Sequence, residues 1–405
     1  MDSSVLHSRK IVWMVWAVAS VFYAYQYIIR VMPNIMLDDI MQQFNISTAT
    51  FGQFSGIYYL GYSLMHIPVG IMLDRYGPRK VMIGCILLTV AGLMPLLFAT
   101  YWVYPIVGRL FIGIGSSAAI LGVFKIVRMT FSEARFARML SISVTIGLLG
   151  AIYGGGPVSY MRELFGYFSV VQGMAVGGII LAAITYWIVP DSTCAPQGSV
   201  MANIKQVLSN KRVIWACVSA GLMAGPLEGF ADVWGCVFLK RVYGMEQAAA
   251  ASLPSMIFVG MCFGAPVLSF IGEKSGSFVA TIICAGAVMS VCFALLLSWQ
   301  MVPEAISVCF VLVGVASAYQ ILAIYKTSTY VPEEVAGLTT AVANMIIMVF
   351  GYAFHSIIGF VVNSMGGLES SSALVMGVAV IPVALIIGTG GFVALLVKDS
   401  IKEKT

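Results

Sequence analysis

The sequence is a succession of apolar runs of roughly twenty residues, separated by short breaks that hold most of its charge. A run of that length spans a hydrocarbon core as a helix, and lipid leaves only structures that satisfy every backbone group internally. Composition agrees, since of 405 residues 60% are hydrophobic and only 10% charged, a balance that no soluble domain of this size keeps in solution. The expected fold class is an all-α polytopic membrane protein. Spans are expected near residues 11–37, 50–73, 79–99, 102–127, 138–161, 167–189, 213–238, 248–271, 277–298, 304–326, 335–363 and 371–397, roughly twelve transmembrane helices in all.

The charges in the breaks fix the orientation. With the N-terminus inside, about 16 basic residues face the cytoplasm, among them Arg9, Lys10, Arg75, Arg79, Lys80, Arg128, Lys205, Lys211, Arg212, Lys274 and Lys398, against about three outside, Arg162, Lys240 and Arg241. Both termini are therefore expected in the cytoplasm, and the multi-pass chain in the inner membrane. The net charge of +5 is spread over loops and forms no patch for nucleic acid. Seven of the eight cysteines lie in apolar runs without C-x-x-C spacing and only Cys194 lies in a loop, so packed thiols are expected, with no metal site, disulfide framework or cofactor. The basic and then apolar N-terminus is like a signal peptide, but the run is too long and has no small-residue cleavage site; it is expected to remain as the first span.

One long polar interruption, 190–212, holds Pro190, Asp191, Pro196, Gln197 and Gly198. It is read as a cytoplasmic linker, ending in a short amphipathic helix on the membrane surface, between an N-terminal six-helix bundle (1–189) and a C-terminal one (213–405). Self-comparison supports the division. Residues 113–125 align without gaps on 314–326, with Gly, Ser, Ile, Leu and Lys recurring in place; 74–77 find a degenerate copy in 273–276, and 9–13 in 211–215. The nearly constant offset is what a duplicated six-helix unit leaves.

Charge inside hydrocarbon is expensive, so each intramembrane ionisable residue is a functional candidate. These are Arg30, Arg109, Lys125, Glu228 and Asp232, with His66 and His355. Carrying the first-helix register onto the seventh places Gln26 opposite Glu228 and Arg30 opposite Asp232, each pair spaced i, i+4 on one helix face. The expectation is that cationic groups of one half face carboxylates of the other. An anionic solute then competes for Arg30 while protonation releases Asp232 or Glu228. The alternative is a permanent structural ion pair. His66 is read as a neutral, bonded ring rather than a proton relay, and His355 has the weaker claim. Lys326 is expected to snorkel; for Lys125 snorkelling and function both stay open. Among the many tyrosines of the first two helices, Tyr27 and Tyr62 are expected as solute contacts, and Gln320 and Asn344 as polar groups of a wet cavity. Gly147, Gly150 and Gly154 to Gly156, with Pro157, are read as close helix packing.

Between the second and third runs lies a charged turn. Gly70 is expected to let two helices approach closely, Asp74 and Arg75 to cap a helix end, Gly77 and Pro78 to make the turn, and Arg79 and Lys80 to anchor the next helix. The pattern of Gly70, Asp74, Arg75, Gly77, Arg79 and Lys80 resembles the signature loop of the major facilitator superfamily, and Arg109, Gly113 and Gly115 with the central linker extend the likeness to the whole chain. The resemblance implies two pseudosymmetric bundles, a solute site between them and alternating access, with Asp74 and Arg75 in an inner gate and Glu333 and Glu334 offering Arg75 a partner. Tyr27, Arg30 and Pro33, followed by Tyr62 and Gly70, look more narrowly like the organic-anion and anion:cation symporter branch, in which an arginine at the place of Arg30 often engages the substrate carboxylate. The chain departs from that branch at Ile29, where an acid is common, and at His66, where glutamine is.

Together these readings lead to a secondary active transporter, a monomer in the bilayer, that moves a small anionic or zwitterionic organic solute with protons. A proton-independent uniporter or exporter of the same fold is the alternative. A nontransporting sensor or membrane enzyme is disfavoured, because the sequence has no Ser/His/Asp or H-E-x-x-H arrangement and no P-loop.

Overall fold

The computed structural model describes residues 9–190, 200–298 and 300–402, and among these it is helical throughout. In the first part of the chain the helices are α1 (Arg9–Ile35), α2 (Leu37–Phe44), α3 (Thr48–Tyr76), α4 (Pro78–Phe98), α5 (Val103–Thr130) and α6 (Glu133–Ile188). After them come α7 (Val200–Ser209), α8 (Lys211–Leu222), a π-helix (Gly225–Trp234), α9 (Gly235–Val242), α10 (Gln247–Ser252), α11 (Ser255–Ser275) and α12 (Phe278–Ser298). The chain ends in α13 (Pro303–Ser317), α14 (Tyr319–Ser328), α15 (Glu333–Ser364) and α16 (Ser371–Lys402). Most of the linker, 191–199 with Cys194, lies outside the described residues.

Among the described residues eleven helical stretches are long and apolar enough to cross a membrane. One of them, Arg138–Ile188, is 51 residues long and turns at Gly166, whose φ of 78° suits a residue without a Cβ. Counting its two arms separately gives the expected twelve spans. Large apolar side chains such as Phe98, Trp187, Phe270 and Phe360 point outward, from 65% to 77% exposed, as a lipid-facing surface requires.

Three spans expected to be uninterrupted are broken, each for a local reason. Pro226 withholds a backbone donor and α8 gives way to the π-helix. Pro254 stands between α10 and α11. At the end of α13 the Ser317 hydroxyl bonds back to the Val313 carbonyl, 2.8 Å, a contact that loosens the helical turn. The sequence reading also missed α2. It is a two-turn amphipathic helix with Leu37 and Ile40 buried, ended by Asn45 in the left-handed region at φ 49°, and its Asp39 pairs with Arg162, one turn before Gly166 in α6.

The chain forms two compact units, Met1–Ile46 with Ile57–Gly198, and Ser47–Gly56 with Ser199–Thr405. In the first, α1 lies directly on α6: a Cβ at Gly150 would stand 2.2 Å from the Ala24 carbonyl oxygen, and Gly147 and Gly154 are likewise tight against α1, so these three of the α6 glycines serve packing. The same unit brings α3 onto α5, where a Cβ at Gly113 would meet the Tyr58 carbonyl oxygen at 2.1 Å. The second unit repeats this crossing at the repeat-related positions, with Gly314 against the Ile257 carbonyl oxygen at 2.0 Å. There α7 buries Val207, and Asn210 caps α8 by accepting from the amides of Arg212 and Val213 while donating to the Tyr330 carbonyl.

Candidate functional site

In the first unit the candidate residues of α1 sit in an aromatic cradle provided by α3. Arg30 is buried, with its guanidinium carbon 5.0 Å from the centre of the Tyr27 ring and 5.1 Å from that of Tyr59. Away from water such a cation–π contact contributes on the order of 1–2 kcal/mol, which offsets part of the cost of burying the charge. One turn earlier, the Gln26 side-chain oxygen accepts from the Tyr58 hydroxyl at 2.7 Å. Tyr58 stacks on Tyr62 with planes 20° apart, and Tyr62 leans on His66, ring centres 5.2 Å apart. Tyr58, Tyr62 and His66 follow one another at four-residue spacing, so one face of α3 carries all three.

Arg30, Gln26, Tyr27 and Tyr62 therefore belong to one continuous cluster. Its connecting members are Tyr58 and Tyr59, which the sequence marked only as part of a tyrosine-rich stretch. The i, i+4 spacing of Tyr58, Tyr62 and His66 was the signal available for the first of these. Arg109 of α5 is also part of it. Its guanidinium lies 4.8 Å from the Tyr58 ring centre and donates to the Ile29 and Arg30 carbonyls.

In the second unit Glu228 and Asp232 are carried by the π-helix, all ten residues of which are buried, these two at 1% exposure. A π-helical segment is wider than an α-helix and is found at functional sites more often than chance allows. Tyr319 of α14 is fully buried beside it and donates its hydroxyl to the Ala220 carbonyl at 2.6 Å, close to where α8 ends. Gln320 is buried next to Tyr319, whereas Asn344 is half-buried on α15 and makes no hydrogen bond to another described residue. Among the described residues no group of three or more His, Cys, Asp or Glu is placed to hold a metal ion.

The turn between α3 and α4 is built as expected at Gly77, whose φ of 87° precedes Pro78 at the start of α4. Its other residues have partners that the sequence did not name. Asp74 pairs with Lys125 of α5 at 2.7 Å, which gives Lys125 a partner in place of simple snorkelling. Arg75 rests on the Tyr76 ring; the side chains of Glu333 and Glu334, expected as its partners, lie outside the described residues. Arg79 donates to the Val189 carbonyl and covers the Tyr186 ring. Gly70 makes no close helix approach: a Cβ there would meet nothing within 4 Å. Lys326, near the end of its span, pairs with Asp399 of α16 at 3.5 Å.

The profile of the Major Facilitator Superfamily matches residues 15–356. A metabolite transport protein of Pseudomonas putida, NicT, is 25% identical over 194 residues, 45% of this chain and 43% of that protein. The galactarate/D-glucarate transporter GudP of Bacillus subtilis, so named, is 22% identical over 90% of this chain and 88% of its own. The inner membrane transport protein YajR of Escherichia coli is 28% identical over 42% of this chain. The matched stretches span only 43% and 37% of the lengths of NicT and YajR. Among solved structures, a bacterial homolog of the human lysosomal transporter Spinster superposes with a TM-score of 0.76 at 16% identity, over 96% of this chain and 97% of that one. The nucleoside transporter NupG gives a TM-score of 0.78 at 14% identity, over 93% of this chain and 100% of its own. At such identities these structures speak for the fold alone.

Proposed function

Since the chain belongs to the Major Facilitator Superfamily and is a transporter of small solutes, we propose that it moves a small organic anion or zwitterion across the inner membrane by alternating access, driven by protons. The observation that carries the reading is the state of Arg30, a buried cation with two aromatic rings beside it. A guanidinium in such surroundings presents a planar pair of donors suited to a carboxylate. Tyr27, Tyr62 and Gln26 supply the apolar wall and hydroxyl or amide handles around it. The name of the Bacillus subtilis relative, a galactarate/D-glucarate transporter, makes a sugar diacid the first solute to try.

Proton coupling is assigned to Glu228 and Asp232. Both are carboxylates inside hydrocarbon, where an ionisable side chain is expensive and marks an ion or proton path. Gln320 and Asn344 are proposed as further solute contacts on that side. The pairing of Asp74 with Lys125, together with Gly70, Arg75, Gly77 and Arg79, is proposed to belong to the inner gate. The distribution of basic loops supports cytoplasmic termini, and the name of the Escherichia coli relative agrees with an inner-membrane location. A monomer is the proposed working unit.

The test is uptake of labelled D-glucarate and a panel of other carboxylates into proteoliposomes, with and without an inward proton gradient. Gradient-driven uptake that Arg30→Ala abolishes is the expected result, with Glu228→Gln and Asp232→Asn losing the gradient dependence. Uptake indifferent to the gradient would assign the chain to uniport, and uptake indifferent to Arg30→Ala would remove the assignment of that residue.

A further inference from the structure

Pro33 lies inside α1. A proline within a helix has no N–H for the carbonyl four residues earlier, and its ring presses against that carbonyl. In α1 the carbonyl concerned is that of Ile29, and a side chain from another helix reaches it. Arg109 of α5 donates from Nη1 to the Ile29 oxygen at 2.9 Å and from Nη2 to the Arg30 oxygen at 2.8 Å. Arg109 is 2% exposed and its guanidinium faces the Tyr58 ring, so water is not its alternative partner. At Pro68, Pro95, Pro157, Pro266 and Pro382, which also lie inside helices, no side chain makes the corresponding bond among the described residues.

We propose that Arg109 is a positioning residue: it stands in for the backbone donor that Pro33 removes from α1, and so holds the turn that aims Arg30. The geometry needs arginine. Two carbonyls on successive residues are met by two nitrogens of one rigid plane, whereas a lysine ammonium offers a single point. The same arrangement accounts for burying the charge, because two backbone carbonyl dipoles and an aromatic face receive it. Any effect on solute binding rests on Arg30 being the anion-binding residue; the clasp on α1 does not.

The experiment is a double-mutant cycle on the full-length protein in lipid nanodiscs, combining Arg109→Met with Pro33→Ala and following thermal unfolding. Alanine at 33 returns an N–H to the Ile29 carbonyl, so roughly half of the midpoint loss caused by Arg109→Met is expected to disappear in the Pro33→Ala background. Losses that simply add would overturn the proposal. Should Arg109→Met fail to fold, Arg109→Lys is carried through the same cycle, with the same expectation for the carbonyl it leaves unmet.

Aiming of Arg30 is read separately, by site-resolved phenylglyoxal modification followed by mass spectrometry well below the unfolding midpoint. In Arg109→Lys the modification rate at Arg30 is expected to change several-fold and to return toward the native rate when Pro33→Ala is added. A rate that stays native would show that Arg109 braces α1 without positioning Arg30, and the proposal would fail there. Neither measurement uses a solute. A normal cycle with transport unaffected by Arg30→Ala would therefore sink the functional reading and leave the clasp standing, and the reverse pattern would do the opposite.

Discussion

Lys125 of α5 holds Asp74 of the α3–α4 turn at 2.7 Å, while its repeat-related counterpart Lys326 turns to Asp399 on α16 at 3.5 Å. The duplicated half has thus kept the lysine and changed its partner. The Asp74 side chain is 52% exposed, so screening by solvent limits the stability that the first pair contributes to about 0–1 kcal/mol. Lys125→Gln and Asp74→Asn are each expected to lower stability only slightly, with a coupling under about 1 kcal/mol in a double-mutant cycle on chemical unfolding. A much larger coupling would mean that the pair is more sheltered than its exposure indicates.

Helix contact through glycine leads to a sharper contrast. A Cβ at Gly113 would stand 2.1 Å from a backbone oxygen of α3, whereas one at Gly84 would meet nothing within 4 Å. Backbone cannot step aside as a flexible side chain does, so Gly113→Leu must part α3 from α5 and is expected to cost about 3 kcal/mol or more. Gly84→Ala, inside α4, is expected to raise stability by about 0.5–1 kcal/mol. Folded yield and unfolding midpoint of the two variants check both signs.

The same contact shows what the sequence made legible. Gly113 and Gly314 came from a gap-free internal match, and each proves to be where two helices of its own unit touch most closely; a duplicated fold keeps its tightest contacts because they tolerate least change. The spans were readable because lipid thickness sets their length. Less legible was whatever lacks a period or a charge. The two-turn α2 is too short to stand out between long apolar runs. The π-helix is buried on every side, so its hydrophobic pattern has no phase in which a wider turn would register. Gly70 looked like a packing glycine by its motif, and its surroundings are open. At the candidate site, Arg30 and Gln26 were found by their register, but the partners that hold them, Tyr58, Tyr59 and Arg109, come from other helices, whose rotation about their axes no single sequence specifies.

Asp399 carries a pH-dependent prediction. Besides Lys326 it faces Arg212 at 3.7 Å and accepts from the Tyr330 hydroxyl at 2.8 Å. Burial, and then the bond and charge of Asp399, push the Tyr330 hydroxyl above the ordinary tyrosine range. Because the folded value is the raised one, the unfolded chain gives up this proton first. The stability tied to Tyr330 is whole below about pH 10 and declines as the pH climbs further. A difference titration of native protein against Tyr330→Phe is expected to place the Tyr330 ionisation above that of a free tyrosine. Asp399→Ala is expected to bring it part of the way down, since burial is the larger cause and remains.

The bond from Tyr58 to Gln26 separates two contributions of one side chain. Tyr58→Phe keeps the ring that faces Arg109 and removes only the hydroxyl given to the Gln26 oxygen, leaving a buried acceptor without its donor at a cost of about 1–3 kcal/mol. Tyr58→Leu loses the cation–π contact as well and is expected to cost about 1 kcal/mol more. Replacing both polar partners, in Tyr58→Phe with Gln26→Leu, removes the acceptor along with the donor, so most of the first loss is expected to be recovered. Unfolding midpoints for the series check the order. If the double variant is no more stable than Tyr58→Phe alone, the hydroxyl has a further partner in the folded protein and the bond to Gln26 is not its main contribution.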